Sequence, residues 1–173
     1  MIETNRLILR KATTLDTEKI LGFVNSAYAK KYNPYDSYSE IRLWKHLRET
    51  TNFVLICKET KSIIGIIGLE EDTIRINVNA ISLTYIIDEL YSNKGYMTEA
   101  LKEIIRYVFE EENIDIISLK IISSNLSSIA IAKKLGFIKE GIIRKAIKSF
   151  DNIIYDQVIY SMTKKEYEEN PLI

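Results

Sequence analysis

The residues best suited to chemistry form a short run around a glycine, between an apolar segment and a long amphipathic one: Asn93-Lys94-Gly95-Tyr96-Met97-Thr98-Glu99-Ala100. A glycine at a strand-to-helix junction lets the backbone turn tightly, and the following helix leaves its first N–H groups without intrahelical partners. These donors and the positive end of the helix dipole favour a phosphate or pyrophosphate. The run therefore predicts a site for an anionic cofactor; a turn glycine without a ligand is the alternative.

The other reactive side chains do not indicate a catalytic or metal site. Cys57, the single cysteine, lies in an apolar run typical of a buried strand. It cannot form an intramolecular disulfide, and we interpret it as a core thiol rather than a nucleophile. We interpret the single histidine, His46, as a surface residue. No cluster of His, Cys, Asp or Glu has the spacing of metal ligands, so no metal is expected.

A mixed set of elements must position these groups. Apolar runs predict seven strands, at residues 6–11, 53–57, 63–69, 80–87, 114–122, 137–147 and 153–162. Helical periodicity predicts helices over 15–28 (stopped by Asn33 and Pro34), 39–48, 96–109, 126–135 and 163–167, with a turn over 149–152. Short links between successive strands favour antiparallel neighbours. The order β-α-α-β-β-β-α-β-α-β-β predicts a mixed α/β fold.

Length and composition narrow the function classes. A chain of 173 residues fits a single domain over 1–173. The 24 Lys and Arg residues balance the 24 Asp and Glu residues, which argues against direct nucleic-acid binding. The N-terminus is charged, and no apolar run approaches the roughly 18 residues of a membrane span. We therefore expect a cytoplasmic protein without a signal peptide or a membrane partner.

Four pieces of the chain, in this order, resemble the GNAT acetyltransferase superfamily in its RimJ/RimL-like branch. They are residues 3–10, residues 94–101, residues 125–128 with 134–137, and residues 155–167. The resemblance covers nearly the whole chain. It implies the GNAT fold, a central, mostly antiparallel seven-stranded sheet that is splayed between its fourth and fifth strands and flanked by helices. It also implies acetyl-CoA as donor and an amine as acceptor, and it leaves a homodimer open.

The resemblance also implies where acetyl-CoA binds. The pantetheine arm follows the backbone of one strand end as an added strand would, and the pyrophosphate meets the N–H groups of residues 92–98. Lys94 adds a charge, and Asn125 contacts the pantetheine side, with a plain helix cap as the alternative for Asn125. The expected cofactor-binding residues are Ile86, Ile87, Ser92, Asn93, Lys94, Gly95, Tyr96, Met97, Thr98 and Asn125.

Two residues that act in many members of that superfamily are absent. Ala132 stands where a tyrosine protonates the leaving thiolate, and Ser128 is the nearest candidate acid. Ser82 stands where a glutamate serves as base. Three carboxylates at the end of the preceding strand could replace that base or be ordinary strand-end groups: Glu70, Glu71 and Asp72.

The missing base favours an acceptor that is already partly neutral. An α-amine has a pKa of about 7.7–8.0, against about 10.4 for a lysine side chain. We therefore predict direct acetyl transfer to the α-amine of a protein or peptide N-terminus, through a tetrahedral intermediate and without an acyl-enzyme. Aromatic residues in the segment 28–44, among them Tyr35, would shape the acceptor side or simply pack. A small-molecule amine acetyltransferase and a non-catalytic acyl-CoA-binding module are the alternatives.

Overall fold

The computed structural model describes residues 1–32, 37–149 and 152–170. Within them lie eight strands and six helices: β1 (Ile2–Glu3), β2 (Leu7–Lys11), α1 (Thr17–Val24), α2 (Ala27–Lys30), α3 (Glu40–Glu49), β3 (Thr51–Cys57), β4 (Ile63–Glu71), β5 (Ala80–Ile87), α4 (Tyr96–Glu111), β6 (Ile116–Ile122), α5 (Leu126–Lys134), β7 (Ile138–Lys148), β8 (Ile154–Thr163) and α6 (Lys164–Glu169). No helix in these ranges combines the length and apolar character of a membrane span.

The chain divides into two compact units. The first unit contains Met1–Leu69 and Tyr85–Leu101, and the second unit contains Glu70–Thr84 and Lys102–Ile173. Strands β4 and β5 and helix α4 contribute residues to both units.

The predicted class, a mixed α/β fold with mostly antiparallel strands and flanking helices, is confirmed. The strand count differs by one, because residues Ile2 and Glu3 pair antiparallel with Leu9 and Ile8 of β2. Two residues are too few for apolar alternation to reveal a strand.

In the first unit, strands β1 to β4 pair antiparallel in chain order. Helix α1 packs its apolar face against β3 and β4, because a helix with one apolar face buries that face, and α3 contributes Leu43. This core consists of Ile20, Phe23, Val24, Leu43, Val54 and Ile66. Cys57 is 1% exposed at the end of β3, so the prediction of a buried strand thiol is confirmed.

The single helix predicted over 15–28 is wrong, because the helix breaks after Val24. The Asn25 side chain accepts from the Tyr38 N–H at 2.7 Å and donates to the Tyr38 carbonyl at 2.9 Å. Ser26 then caps the short helix α2 through the Ala29 N–H. Polar side chains that bond to backbone end a helix in this way. The predicted stop at Asn33 and Pro34 lies outside the described residues, as do positions 150 and 151 of the predicted turn.

In the second unit, β6 lies between a parallel neighbour, β5, and an antiparallel one, β8, while β7 pairs antiparallel with β8. Pairing of β5 with β6 runs only from Ala80 and Ile116 to Ser82 and Ser118. The two strands stop pairing at that point, as expected of the splayed pair. The buried face predicted for helix α4 is confirmed: Met97, Ala100, Leu101, Ile104, Ile105, Val108 and Phe109 are all buried.

Candidate functional site

The loop that follows β5 in the first unit turns through two residues with positive φ. Asn93 has a φ of 57° and Gly95 a φ of 80°, the left-handed region in which glycine and asparagine are most readily accommodated. Helix α4 begins directly afterwards at Tyr96. The predicted strand, glycine turn and helix therefore occur in the predicted order.

The backbone of this loop presents unused donors. The first N–H to donate within the region is that of Glu99, which bonds to the Gly95 carbonyl at 3.0 Å. Within the described part of the chain, the N–H groups of residues 93–98 have no protein acceptor. The Ser92 N–H is already used, since it donates to the Glu89 carbonyl at 3.1 Å. Six consecutive donors at a helix N-terminus fit a pyrophosphate.

A contact that sequence reasoning missed fixes the shape of the loop. The Arg6 guanidinium donates to the Lys94 carbonyl at 2.9 Å and to the Glu99 carboxylate at 2.6 Å, and it lies 4.3 Å from the centre of the Tyr96 ring. Glu99 also accepts from the Thr4 hydroxyl and from the Arg6 N–H. Burial raises the pKa of Glu99, but these hydrogen bonds outweigh it and leave the pKa below its ordinary value. Arg6 and Glu99 both lie in motifs that carried the resemblance, but nothing local pairs them.

The Lys94 side chain also lies at this loop. Its ammonium donates to the Leu90 carbonyl at 2.8 Å and lies 5.8 Å from the centre of the Tyr91 ring. Lys94 is exposed, so its charge can still reach an anion beside the loop.

The strand end predicted for the pantetheine arm is half-buried at Ile86 and Ile87. A Cβ built on Gly65 of β4 would lie 2.8 Å from the Ile86 carbonyl oxygen and 3.4 Å from the Ile87 Cα. Only glycine therefore lets β4 approach this part of β5 so closely. The Asp88 N–H donates to the Ile64 carbonyl at 2.8 Å and fixes the strand end before the loop.

Asn125 and Ser128 belong to the second unit. Asn125 caps helix α5, since its Oδ1 accepts from the Ser128 N–H at 3.1 Å. Its Nδ2 has no protein acceptor within residues 1–32, 37–149 and 152–170, so this amide could cap the helix and still donate to a ligand. Ser128 is half-buried. Ala132 is completely buried.

The candidate bases also lie in the second unit and differ sharply in environment. Ser82 is 1% exposed. Asp72 accepts from the Ile74 N–H at 2.8 Å and from Arg75 at 2.5 Å. Burial raises the pKa of Asp72, but these bonds and the Ser118 hydroxyl bring it below its ordinary value.

The other two carboxylates are more accessible. Glu71 is exposed, and Glu70 is half-buried and accepts from the Thr84 hydroxyl at 3.0 Å. Among the described residues, no group of three or more His, Cys, Asp or Glu side chains is arranged to hold a metal ion.

The aromatic segment proposed for the acceptor divides into packed and exposed members. Tyr38 packs against the first unit's core, with the Arg42 guanidinium 5.0 Å from its ring centre. Trp44 is 43% exposed on α3, and its helix neighbour Ile41 is 81% exposed. Tyr35 lies outside the described residues.

Comparison with known proteins places these features in a family. The profile of the acetyltransferase (GNAT) domain matches residues 6–138. The chain is 26% identical to the uncharacterized N-acetyltransferase p20 of Bacillus licheniformis, in an alignment 177 positions long that covers 95% of this chain and 96% of that protein.

Two solved structures share the fold. The ribosomal-protein-S5-alanine acetyltransferase of Vibrio fischeri has a TM-score of 0.84 at 22% identity, covering 96% of this chain and 97% of its own. The spermidine N-acetyltransferase of Vibrio cholerae, solved with CoA and spermine, has a TM-score of 0.83 at 19% identity. The match covers 95% of this chain and 99% of that protein's chain.

Proposed function

The chain belongs to the GNAT acetyltransferase family, and from that premise we propose that it transfers the acetyl group of acetyl-CoA to the α-amine of a protein or peptide N-terminus. The observation that carries the proposal is the row of unused N–H groups at residues 93–98. Arg6 stabilises that row by bonding the Lys94 carbonyl. The family profile includes residues of both units, which supports one acetyltransferase domain over 1–173.

Acetyl-CoA supplies an activated thioester, and the chain's own residues bind and orient it. The N–H groups of residues 93–98, with Lys94, hold the pyrophosphate. The backbone of Ile86 and Ile87 holds the pantetheine arm as an added strand. Asn125 is proposed as a further cofactor-binding residue, because its amide donors are free within the described part of the chain while its oxygen caps α5. Ser128 is the hydroxyl proposed to protonate the leaving thiolate.

Two observations favour an α-amine as acceptor. The position of the usual glutamate base is the buried Ser82, and an α-amine needs less help with deprotonation than a lysine side chain does. A solved protein of the same fold acetylates a ribosomal protein alanine, according to its name. Another protein of this fold acts on spermidine, so a polyamine or another small amine is the second candidate.

Thermal unfolding with and without acetyl-CoA tests the cofactor site, because a ligand that binds only the folded state raises Tm. Release of free thiol is then followed with tetrapeptides beginning with Ala, Ser or Met, with Nα-acetyl-lysine and with spermidine. We expect a clear upward Tm shift and the highest rate with a tetrapeptide. A rate confined to spermidine or acetyl-lysine would refute the α-amine assignment. A Tm shift without thiol release would indicate a binding module.

A further inference from the structure

In the second unit, one face of strand β5 changes from enclosed to open within a single pleat. Side chains alternate across a strand, so Ser82 and Thr84 lie on the same face. Ser82 is buried and pairs with Ser118, the last position at which β5 and β6 are paired. Thr84 is exposed. A group beside Thr84 can therefore meet a ligand, whereas one at position 82 is enclosed.

Asp72 explains why position 82 does not carry a carboxylate in this chain. Its side chain is fully buried and pairs with Arg75, and the Ser118 hydroxyl is one of the groups that lower its pKa. Ser118 is the strand neighbour of Ser82, about 5 Å away. A second carboxylate at position 82 would face the Asp72 charge in a buried place, where two like charges do not both stay ionised. A base on this face must therefore come from elsewhere.

Glu70 supplies a carboxylate at the open end of the face. The Thr84 hydroxyl donates to Glu70 Oε1 at 3.0 Å, and Oε2 has no partner within the described part of the chain. Thr84 lies about 7 Å from Ser82, one pleat along the strand. The Glu70 carboxylate is thus oriented through one oxygen and available through the other, one pleat from Ser82, where the resemblance implies the base.

We propose that Glu70 is the general base of the acetyl transfer and that Thr84 is the residue that positions it. The inference rests on the proposed function. Thr84 precedes Ile86 by two residues on β5, the strand along which the proposed function lays the pantetheine arm.

In the proposed step, the amine nitrogen forms its bond to the acetyl carbonyl carbon while Glu70 Oε2 accepts the proton that the nitrogen loses. The C–S bond breaks, CoA leaves as its thiolate and takes up a proton, and Glu70 releases its proton to solvent. The sum is amine plus acetyl-CoA giving amide plus CoA.

Four variants separate this role from a structural one, each assayed with the amine that wild type acetylates fastest. Glu70→Gln keeps the shape of the side chain but cannot take the proton, so kcat/KM should fall about 100-fold or more. Thr84→Val removes the orienting hydroxyl and should cost about 2- to 10-fold, the effect of one hydrogen bond, whereas Thr84→Ser should stay near wild type. Glu71→Gln tests the neighbouring candidate base: Glu71 is exposed and lies on the opposite face of the strand, so the proposal expects a rate within twofold of wild type.

Two further measurements do not depend on turnover. The Tm shift with acetyl-CoA should be the same in Glu70→Gln as in wild type. Calorimetric titration of the same amine into enzyme saturated with free CoA should show weaker binding in Glu70→Gln, by about threefold or more, and unchanged binding in Glu71→Gln.

The outcomes are distinguishable. A Glu70→Gln enzyme that keeps kcat/KM within threefold of wild type overturns the proposal. Equal losses in Glu70→Gln and Glu71→Gln also overturn it, because they indicate a general effect of charge. A wild type that releases no thiol with any amine refutes the proposed function, and the assignment of Glu70 falls with it.

Discussion

Replacing Gly95 by alanine perturbs the loop at a position where the backbone requires glycine. Its φ of +80° is a left-handed conformation that costs an L-residue about 1–2 kcal/mol. The added Cβ would also lie 3.4 Å from Arg6 Nη2. The strain is relieved if the loop returns to negative φ, which turns the N–H groups of residues 93–98 away from the proposed pyrophosphate. The Kd for acetyl-CoA should then rise by about 5- to 30-fold, the equivalent of that strain.

Two other glycines provide controls. Gly136 has a φ of +82° and lies in the second unit after α5, so Gly136→Ala carries a similar strain without touching the loop. Gly22 lies inside α1, and a Cβ added there would meet no atom within 4 Å, so Gly22→Ala should stabilise the protein by about 0.5–1 kcal/mol. Calorimetry gives the Kd of acetyl-CoA for all three variants, and urea unfolding gives their stabilities.

Of the three variants, only Gly95→Ala is expected to weaken acetyl-CoA binding. Both positive-φ variants should lower Tm by about 2–8 °C, given a cost of about 1–2 kcal/mol in a chain of this length. A Gly95→Ala protein that is destabilised like Gly136→Ala yet binds acetyl-CoA within twofold of wild type would show that the loop is not the pyrophosphate site.

Three other predictions follow from the charged contacts. Arg6→Met removes the bond to the Lys94 carbonyl, so the Kd of acetyl-CoA should rise about 2- to 10-fold, as measured by calorimetry; an unchanged Kd would exclude a role of Arg6 in shaping the loop. Asp72→Asn removes the buried charge that pairs with Arg75, while Arg75 keeps its second partner Glu140, and should cost about 1.5–3 kcal/mol in urea unfolding, the value of a hydrogen bond to a charged group, with a loss below about 1 kcal/mol contradicting it. The Arg10 side chain, despite burial, keeps the pKa of Asp16 below its ordinary 3.8, so this carboxylate stabilises the fold above that value and less as pH falls. The stability gap between wild type and Asp16→Asn should therefore shrink between pH 7 and pH 3. A gap that widens would contradict a lowered pKa of Asp16 in the folded protein.

Some differences between sequence and structure have a clear physical origin. The apolar spacing of α4 predicted its buried face correctly, because a long helix buries one stripe whatever it packs against. The same spacing extended the first helix through Asn25 and Ser26, whose side chains bond to backbone instead. Helix α3 carries several apolar residues, yet Ile41 and Trp44 are exposed and Leu43 is buried. Short amphipathic helices allow more than one face, and packing chooses between them.

The sequence by itself determined the features that depend on neighbours along the chain. The glycine turn, the free N–H groups at the start of α4 and the Asn125 cap need only a few adjacent residues. Only the tertiary structure joined Arg6 to Glu99 and Lys94, residues about ninety positions apart. It also separated Glu70 from Glu71 and Asp72, which look alike in sequence: one is held at an open face by Thr84, one is exposed and one is buried against Arg75. Strand register decides which side chains meet, and a shift of one residue moves every side chain to the opposite face.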